Sequence, residues 1–437
     1  MRAIMSVGIN PDQPVSMRTI TSMLQLLPAR FHWAFANEDL LRAIPIGIPV
    51  KRGRRGVALH AMIKVVHRIG LHWPLLWLVG VSALARMLLR QSNAVAQSPA
   101  VLQLPFRIFI GFGAGSEEPL FMRYSAERSG TVLRLDQTSI ESFAQWHRIG
   151  IGDALSALWY AVVTAKAAMA ALPAVLASRD CDFLTFIGMR IADYSYMHAW
   201  FGWIKASHAA NVEEVGFLAA DTCAFAVSDR GLDPVFLQHG LLFFCLLPMC
   251  VRVEALNSDE ADYFRQELPH AIISLPQPIA RLKVHELTGL VLVASIYGEA
   301  DYLAQINPFL QWAGSEKLRV CVRPHPREDC EFWRSRGFDS YLVVDDSDKD
   351  FFHALARLKP RLVISWFSTA LADALDAGVI PVTVCQPGDR AVVDMPYPLF
   401  QRCLSWPQDS GVIAKLLSDN EYYEAILASL RKEIRGS

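Results

Sequence analysis

The stretch Arg361 to Val384, RLVISWFSTALADALDAGVIPVTV, limits the fold more tightly than any other part of the chain. Leu362-Val363-Ile364 is a short, β-branched run of the kind buried on both faces of a parallel sheet. Ser365, Ser368 and Thr369 follow where a helix must begin, and serine is a favoured N-cap. Gly378 stops that helix, and Val379 to Val384 returns to the sheet. The stretch therefore predicts a βαβ unit. The start of its helix offers unpaired N–H groups, a partial positive charge and nearby hydroxyls, a ready site for a phosphate. Asp373, one turn further on, is placed to meet a ribose hydroxyl. Taken alone, the same residues also make an ordinary capped βαβ unit.

The pattern repeats upstream. Leu290–Ser295, Leu318–Val322 and Tyr341–Val344 read as strands. Asp301–Trp312, Glu328–Arg336 and Asp350–Leu358 read as the helices between them. Strands alternating with helices mean a parallel, doubly wound sheet. A chain of 437 residues suggests two domains. Pro269 to Lys283 reads as a linker, which divides the chain into 1–280 and 281–437. In the first part, Phe106–Ile110, Val215–Ala219 and Val235–Leu237 read as strands, and Asp153–Ala177 reads as a long core helix. A tail helix over Ser418–Ile434 is expected to pack back on the first domain.

Net charge is −1, which gives no general attraction to nucleic acid. The charge is unevenly spread. No Asp or Glu occurs from Leu40 to Ser116. Within that region Lys51, Arg52, Arg54, Arg55, Lys64, Arg68, Arg86 and Arg90 surround the apolar, Trp-bearing run Leu71–Val81. This fits a helix lying in the headgroup plane of an anionic leaflet, and equally a buried helix with a solvated basic flank. The N-terminus lacks the apolar core of a signal peptide. The eight cysteines form no C-x-x-C pair or Cys/His ligand spacing, so neither zinc nor a disulfide framework is indicated. They suit a reducing cytoplasm.

Several residues could carry chemistry. Glycines after Phe106–Ile110 let backbone approach a ligand, and Glu117 and Glu118 behind them are candidate bases. Asp221 ends a strand. His239, in Gln238-His239-Gly240, follows another strand, at the edge where parallel sheets place ligands. Arg323-Pro324-His325-Pro326-Arg327 is a loop stiffened by two prolines, and its arginines can pair a phosphate bidentately. Asp345-Asp346-Ser347-Asp348 looks superficially like an acidic metal motif but reads better as a cap for the next helix. No metal site is expected.

The Q-H-G at Gln238, the H-P at His325 and the S-x-x-S-T with an acid one turn on resemble bacterial surface-polysaccharide glycosyltransferases of GT-B fold. In motif they are nearest the CMP-sugar transferases (sialic acid and Kdo) and the CDP-glycerol glycerophosphotransferases. The resemblance covers roughly Val215 to Val384. It implies an α/β fold of two Rossmann-like domains with parallel sheets facing a central cleft. It also implies a metal-independent inverting transfer from a nucleotide-sugar donor, CMP-linked, to a cell-surface glycan or lipid-linked acceptor, with no separate cofactor. The resemblance gives His325, Ser368 and Thr369 the donor phosphate and Asp373 the ribose; Arg323, Pro326, Arg327 and Ser365, read from the loops themselves, would complete the donor site. His239 would act as base, with Glu117, Glu118 and Asp221 as alternatives. Glu117-Glu118 is followed by Pro119, which departs from the acidic motif of many polysialyltransferases. The resemblance also leaves open glycerol phosphate transfer from CDP-glycerol and a non-catalytic assembly protein that kept the shell. The scattered cysteines and the basic, Trp-bearing region give the expectation of a cytoplasmic protein, peripheral at the inner face of the cytoplasmic membrane.

Overall fold

Short apolar runs become strands in both halves of the chain, and the connections between them decide which strands are neighbours. The computed structural model describes residues 29–35, 54–97, 99–111, 117–126, 128, 130–171, 180–218, 222–238, 252–256, 258–275, 281–294, 300–325, 328, 330–335, 342–345, 351–366, 368–384 and 403–435. The chain separates into two compact units. One is Met1–Glu254 with His270–Ile272, and the other is Ala255–Pro269 with Ile273–Ser437. The expected single boundary lies at 280, and the two units divide between residues 254 and 273.

The first sheet is built from β1 (Phe106–Gly111), β2 (Thr131–Asp136), β3 (Val212–Phe217), β4 (Pro234–Leu237), β5 (Arg252–Glu254) and β6 (Ile272–Ser274). Their order is β2-β1-β3-β4-β5-β6. β1 pairs in parallel with β2 and β3, β3 with β4, and β4 with β5. Strand β6 lies inside the run read as a linker. It has three residues, and Ile272 is exposed, so it carries too little of the buried apolar pattern to read as a strand.

Beside this sheet stand the helices Arg54–Arg68, His72–Arg90, Ile151–Ala171 and Asp180–His208. The last packs against the other three. It shows no clean apolar stripe because neighbours cover it on several sides, and Tyr194, Tyr196, Trp200 and Phe201 are all buried. Two of its polar groups are paired inside the unit. Arg230 Nε donates to the His198 carbonyl at 2.7 Å, and the Tyr194 hydroxyl donates to Asp229. Burial, then the nearby Arg230 charge, drives the His198 imidazole down to about 3, so it stays neutral. Burial pushes the Asp229 carboxyl up to about 6.

The second sheet is built from β7 (Leu290–Ala294), β8 (Arg319–Arg323), β9 (Leu342–Val344), β10 (Leu362–Ser365), β11 (Ile380–Thr383) and β12 (Leu404–Ser405). The order is β12-β11-β10-β7-β8-β9, and every pair is parallel. Read from the other edge and counted from β7, this is the 3-2-1-4-5-6 order of a dinucleotide-binding sheet. The two parallel sheets agree with the α/β, two-Rossmann-domain expectation. The tail helix, Asn420–Arg435, is tied to the second sheet. The Tyr423 hydroxyl accepts from the Ile380 N–H at 3.0 Å and donates to the Arg361 carbonyl at 2.9 Å.

The stretch Arg361 to Val384 folds as expected. β10 leads to the helix Thr369–Ala377, and the helix ends at Gly378 with φ of 93°. A side chain there would also meet the Leu282 carbonyl at 2.9 Å. A left-handed residue against backbone leaves only glycine unstrained. Gly378→Ala is expected to destabilise the protein by more than about 1 kcal/mol, seen as a lower urea midpoint. An unchanged midpoint would show that the cap relaxes freely.

Candidate functional site

Parallel strands bring their carboxyl ends to one edge, and ligands bind where consecutive connections leave in opposite directions. In the second sheet that point lies between β7 and β10. β8 and β9 extend the sheet on one side of β7, and β10, β11 and β12 extend it on the other. The loop after β10 therefore sits at the switch point, and it is tied on both sides. The buried Ser365 hydroxyl donates to the Ala294 carbonyl, at the end of β7, at 2.7 Å. The Val384 N–H donates to the Ser365 carbonyl at 3.0 Å, and the Thr383 hydroxyl donates to the Trp366 carbonyl at 2.9 Å.

This rigid edge presents the start of the helix Thr369–Ala377. Ser368 is its N-cap, in extended backbone (φ −130°, ψ 142°), and its Oγ accepts from the Ala370 N–H at 3.2 Å. Asp373 is half-buried one turn beyond Thr369, on the less buried side of the helix with Thr369 and Asp376. Ser365, Ser368, Thr369 and Asp373 are thus brought together at one helix start.

The loop after β8 leaves the same edge on the other side of β7. Two strand spacings put the loops after β8 and β10 about 10 Å apart. Arg323, the last residue of β8, is buried, with Nη1 at 3.7 Å from Asp345 Oδ2. Arg357 Nη2 donates to the same carboxylate at 2.6 Å. Asp345, first of the acidic run, is therefore committed to two arginines, which sequence spacing gave no means of pairing. His325 is half-buried, and its backbone is held by Glu328. The His325 N–H donates to Glu328 Oε2 at 3.0 Å, and the Glu328 N–H donates to the His325 carbonyl at 2.8 Å. The fully buried Trp333 indole donates to the same oxygen at 3.2 Å. Glu328 thus fixes the histidine turn, a role that its place at a helix start did not reveal. Pro326 and Arg327 lie outside the described residues. The neighbouring Cys321 thiol is pushed up to about 11 by burial and by Asp345, so it is inert.

In the first sheet, order 2-1-3-4-5 puts the switch between β1 and β3. Glu117 stands there, completely buried, with its carboxylate so close to Gly111 that any side chain at that glycine would collide with it. Glu118 opens the helix Glu118–Ala126, and Thr222, buried, opens the helix Thr222–Asp229 after β3. Gln238, buried, follows β4, and its N–H donates to the Glu254 carbonyl at 3.0 Å. Asp221 and His239 lie outside the described residues. A further charged cluster went unread in the sequence: Arg128 bridges Glu214 of β3 and Glu254 of β5, and Arg252 donates to Glu214 at 2.6 Å. Among the described residues no group of His, Cys, Asp and Glu could hold a metal ion.

No family model matches the chain, and no curated protein matches it. Solved structures do. The glycosyltransferase SnogD from Streptomyces nogalater is 12% identical over 76% of this chain and 96% of its own, with a TM-score of 0.41. The spinosyn rhamnosyltransferase SpnG is 12% identical over 76% and 96%, with a TM-score of 0.44. The wall teichoic acid polymerase TagF is 9% identical over 87% and 93%, with a TM-score of 0.39. At such identities and scores the likeness is a broad one of backbone.

The Glu328 geometry yields a direct test. Glu328→Ala removes the acceptor of a buried indole and of the His325 N–H. It is expected to destabilise the fold by roughly 1–3 kcal/mol, measured by urea unfolding. An unchanged midpoint would mean that the histidine turn does not depend on this carboxylate.

Proposed function

We propose that the chain is an inverting glycosyltransferase that moves a sugar from a CMP-linked donor to a glycan or lipid-linked acceptor without a metal ion. One observation carries this reading. A capped helix start and a stiff histidine turn flank β7 at the carboxyl edge of a 3-2-1-4-5-6 sheet. The spacing suits a nucleotide phosphate lying across β7, with its ribose toward Asp373. Ser368, Thr369 and the helix N–H groups would meet the phosphate from one side and His325 from the other, with Arg327, two residues on in the chain, as a further candidate. Arg323 and Ser365, engaged with Asp345 and Ala294, would hold those loops in place.

In the reaction a base takes the proton of the acceptor hydroxyl. The oxygen attacks the anomeric carbon on the face away from the phosphate, and the C–O bond to phosphate breaks. The positive groups at the phosphate stabilise the charge that develops there, the part a metal plays in other sites. His239, next in the chain after Gln238, is the proposed base, and Glu117 at the β1–β3 switch is the alternative. The Q-H-G motif equally favours a second reading, transfer of glycerol phosphate from CDP-glycerol.

A thermal-shift screen of CMP, CDP, UDP and GDP tests the donor site, since ligands that bind the folded state raise Tm. CMP or CDP is expected to raise it, and Ser368→Ala and His325→Ala to reduce the rise. A rise with UDP alone would overturn the cytidine reading, and turnover of CDP-glycerol but of no CMP-sugar would favour the second reading. Activity is expected to survive EDTA; its loss on chelation and return with Mg²⁺ would overturn the metal-free reading.

The base is tested separately. His239→Asn is expected to lower kcat roughly 10²–10⁴-fold while nucleotide affinity is kept, and Glu117→Gln to lower it less. The opposite ranking would assign proton transfer to Glu117.

A further inference from the structure

We propose that the first unit docks on an anionic lipid surface through the helices Arg54–Arg68 and His72–Arg90, which lie flat on it. The two helices pack on each other and both pack on Asp180–His208. Their outward faces, turned from that helix, carry large apolar side chains among the charged ones. On the first, Val57, Met62, Val65 and the flanking Ile69 are exposed. On the second, Trp77, Leu78 and Leu89 are exposed, as is Leu71 just before it. The neighbouring helix Ile151–Ala171 adds a stripe at four-residue spacing, Ile151, Leu155, Trp159 and Val163, also exposed. Large apolar side chains in a connected patch mark a docking surface.

The charges around this patch select the occupant. Arg54, Lys64, Arg68, Arg86 and Arg90 are exposed on the same two helices, and the sequence carries no acid from Leu40 to Ser116. The exposed apolar residues are interspersed with cations that outnumber the acids beside them, Glu141 (paired with Arg90) and the exposed Asp153, and with tryptophan among the aliphatic residues such a face matches a leaflet with acyl chains below and anionic headgroups above. A protein partner would need an equally apolar face with a matching excess of acids.

The structure also separates lying on a membrane from crossing it. His72–Asn93 is long and apolar enough to span by length and composition. Yet Leu76, Gly80 and Leu84 form a buried stripe that holds the helix to its unit along its length. A side chain at Gly80 would come within 2.8 Å of Leu158, so the helix sits in close contact with its neighbour. Arg86 and Arg90 would further oppose burial in the hydrocarbon.

The test is flotation of the full chain with vesicles of phosphatidylglycerol and phosphatidylcholine, against phosphatidylcholine alone. The wild type is expected to float with the anionic vesicles at low salt and progressively less as salt rises. Lys64→Ser, Arg68→Ser and Arg86→Ser are each expected to weaken binding roughly fivefold, and the double variant Leu78→Glu/Leu89→Glu to abolish it. Both residues are exposed, so the double variant is expected to keep the wild-type Tm. Three results would overturn the proposal: equal flotation of the double variant, no flotation of the wild type, or a wild-type dimer that the double variant dissociates without any lipid binding. The experiment uses no nucleotide or sugar, so its outcome is independent of the transferase reading.

Discussion

Parallel strand pairing is the constraint on which the rest of this structure depends. A parallel sheet needs a crossover after every strand, so all its loops of one kind gather at one edge. Pairing β7 with both β8 and β10 puts the histidine turn and the serine-capped helix on either side of one strand. Neither loop carries a specific site by itself. Their common edge comes from hydrogen bonding along strands whose side chains are almost all buried, as Leu290–Ala294 and Leu362–Ser365 are.

The loops are then held by groups that the sheet supplies. Ser365 is tied to the end of β7, and Thr383 of β11 secures the Trp366 carbonyl. Glu328 and the buried Trp333 fix the histidine turn, and Asp345 draws Arg323 and Arg357 together. Such supports reduce what a ligand must order on binding, which is where affinity is commonly lost. The first unit works under a different constraint. Its long central helix is surrounded by protein, so its polar groups must pair internally, and burial keeps His198 neutral. The outer helices do the opposite and present apolar side chains outward.

Much of the second unit was legible in the sequence because its strands are short apolar runs with clear punctuation. Leu362–Ile364, Gly378 and the helix between them appear as read, within a residue or two at each end. The first unit was harder. Thr131–Asp136 is short, with only Leu133 and Leu135 buried, and Ile272–Ser274 is too short to signal a strand. The helix Asp180–His208 carries Asp, Arg, Tyr and His among its apolar residues, and no single face is dry.

The residue types at the candidate site were readable because each has a local reason to stand where it does. Serine caps a helix, proline stiffens a turn, and glycine ends a helix in a left-handed conformation. By itself the sequence determined the parallel α/β class, the donor-loop candidates and the basic, acid-free character of residues 40–116. Only the tertiary structure decided that β7 separates the two loops, that Glu328 and Asp345 are supports, and that Glu117 is buried against Gly111. It also decided which face of His72–Arg90 is packed on protein and which is left apolar and exposed. The physical reason is the range of the interactions: capping and helix stops act within a few residues, whereas strand order, ion pairing and burial join residues far apart in the chain.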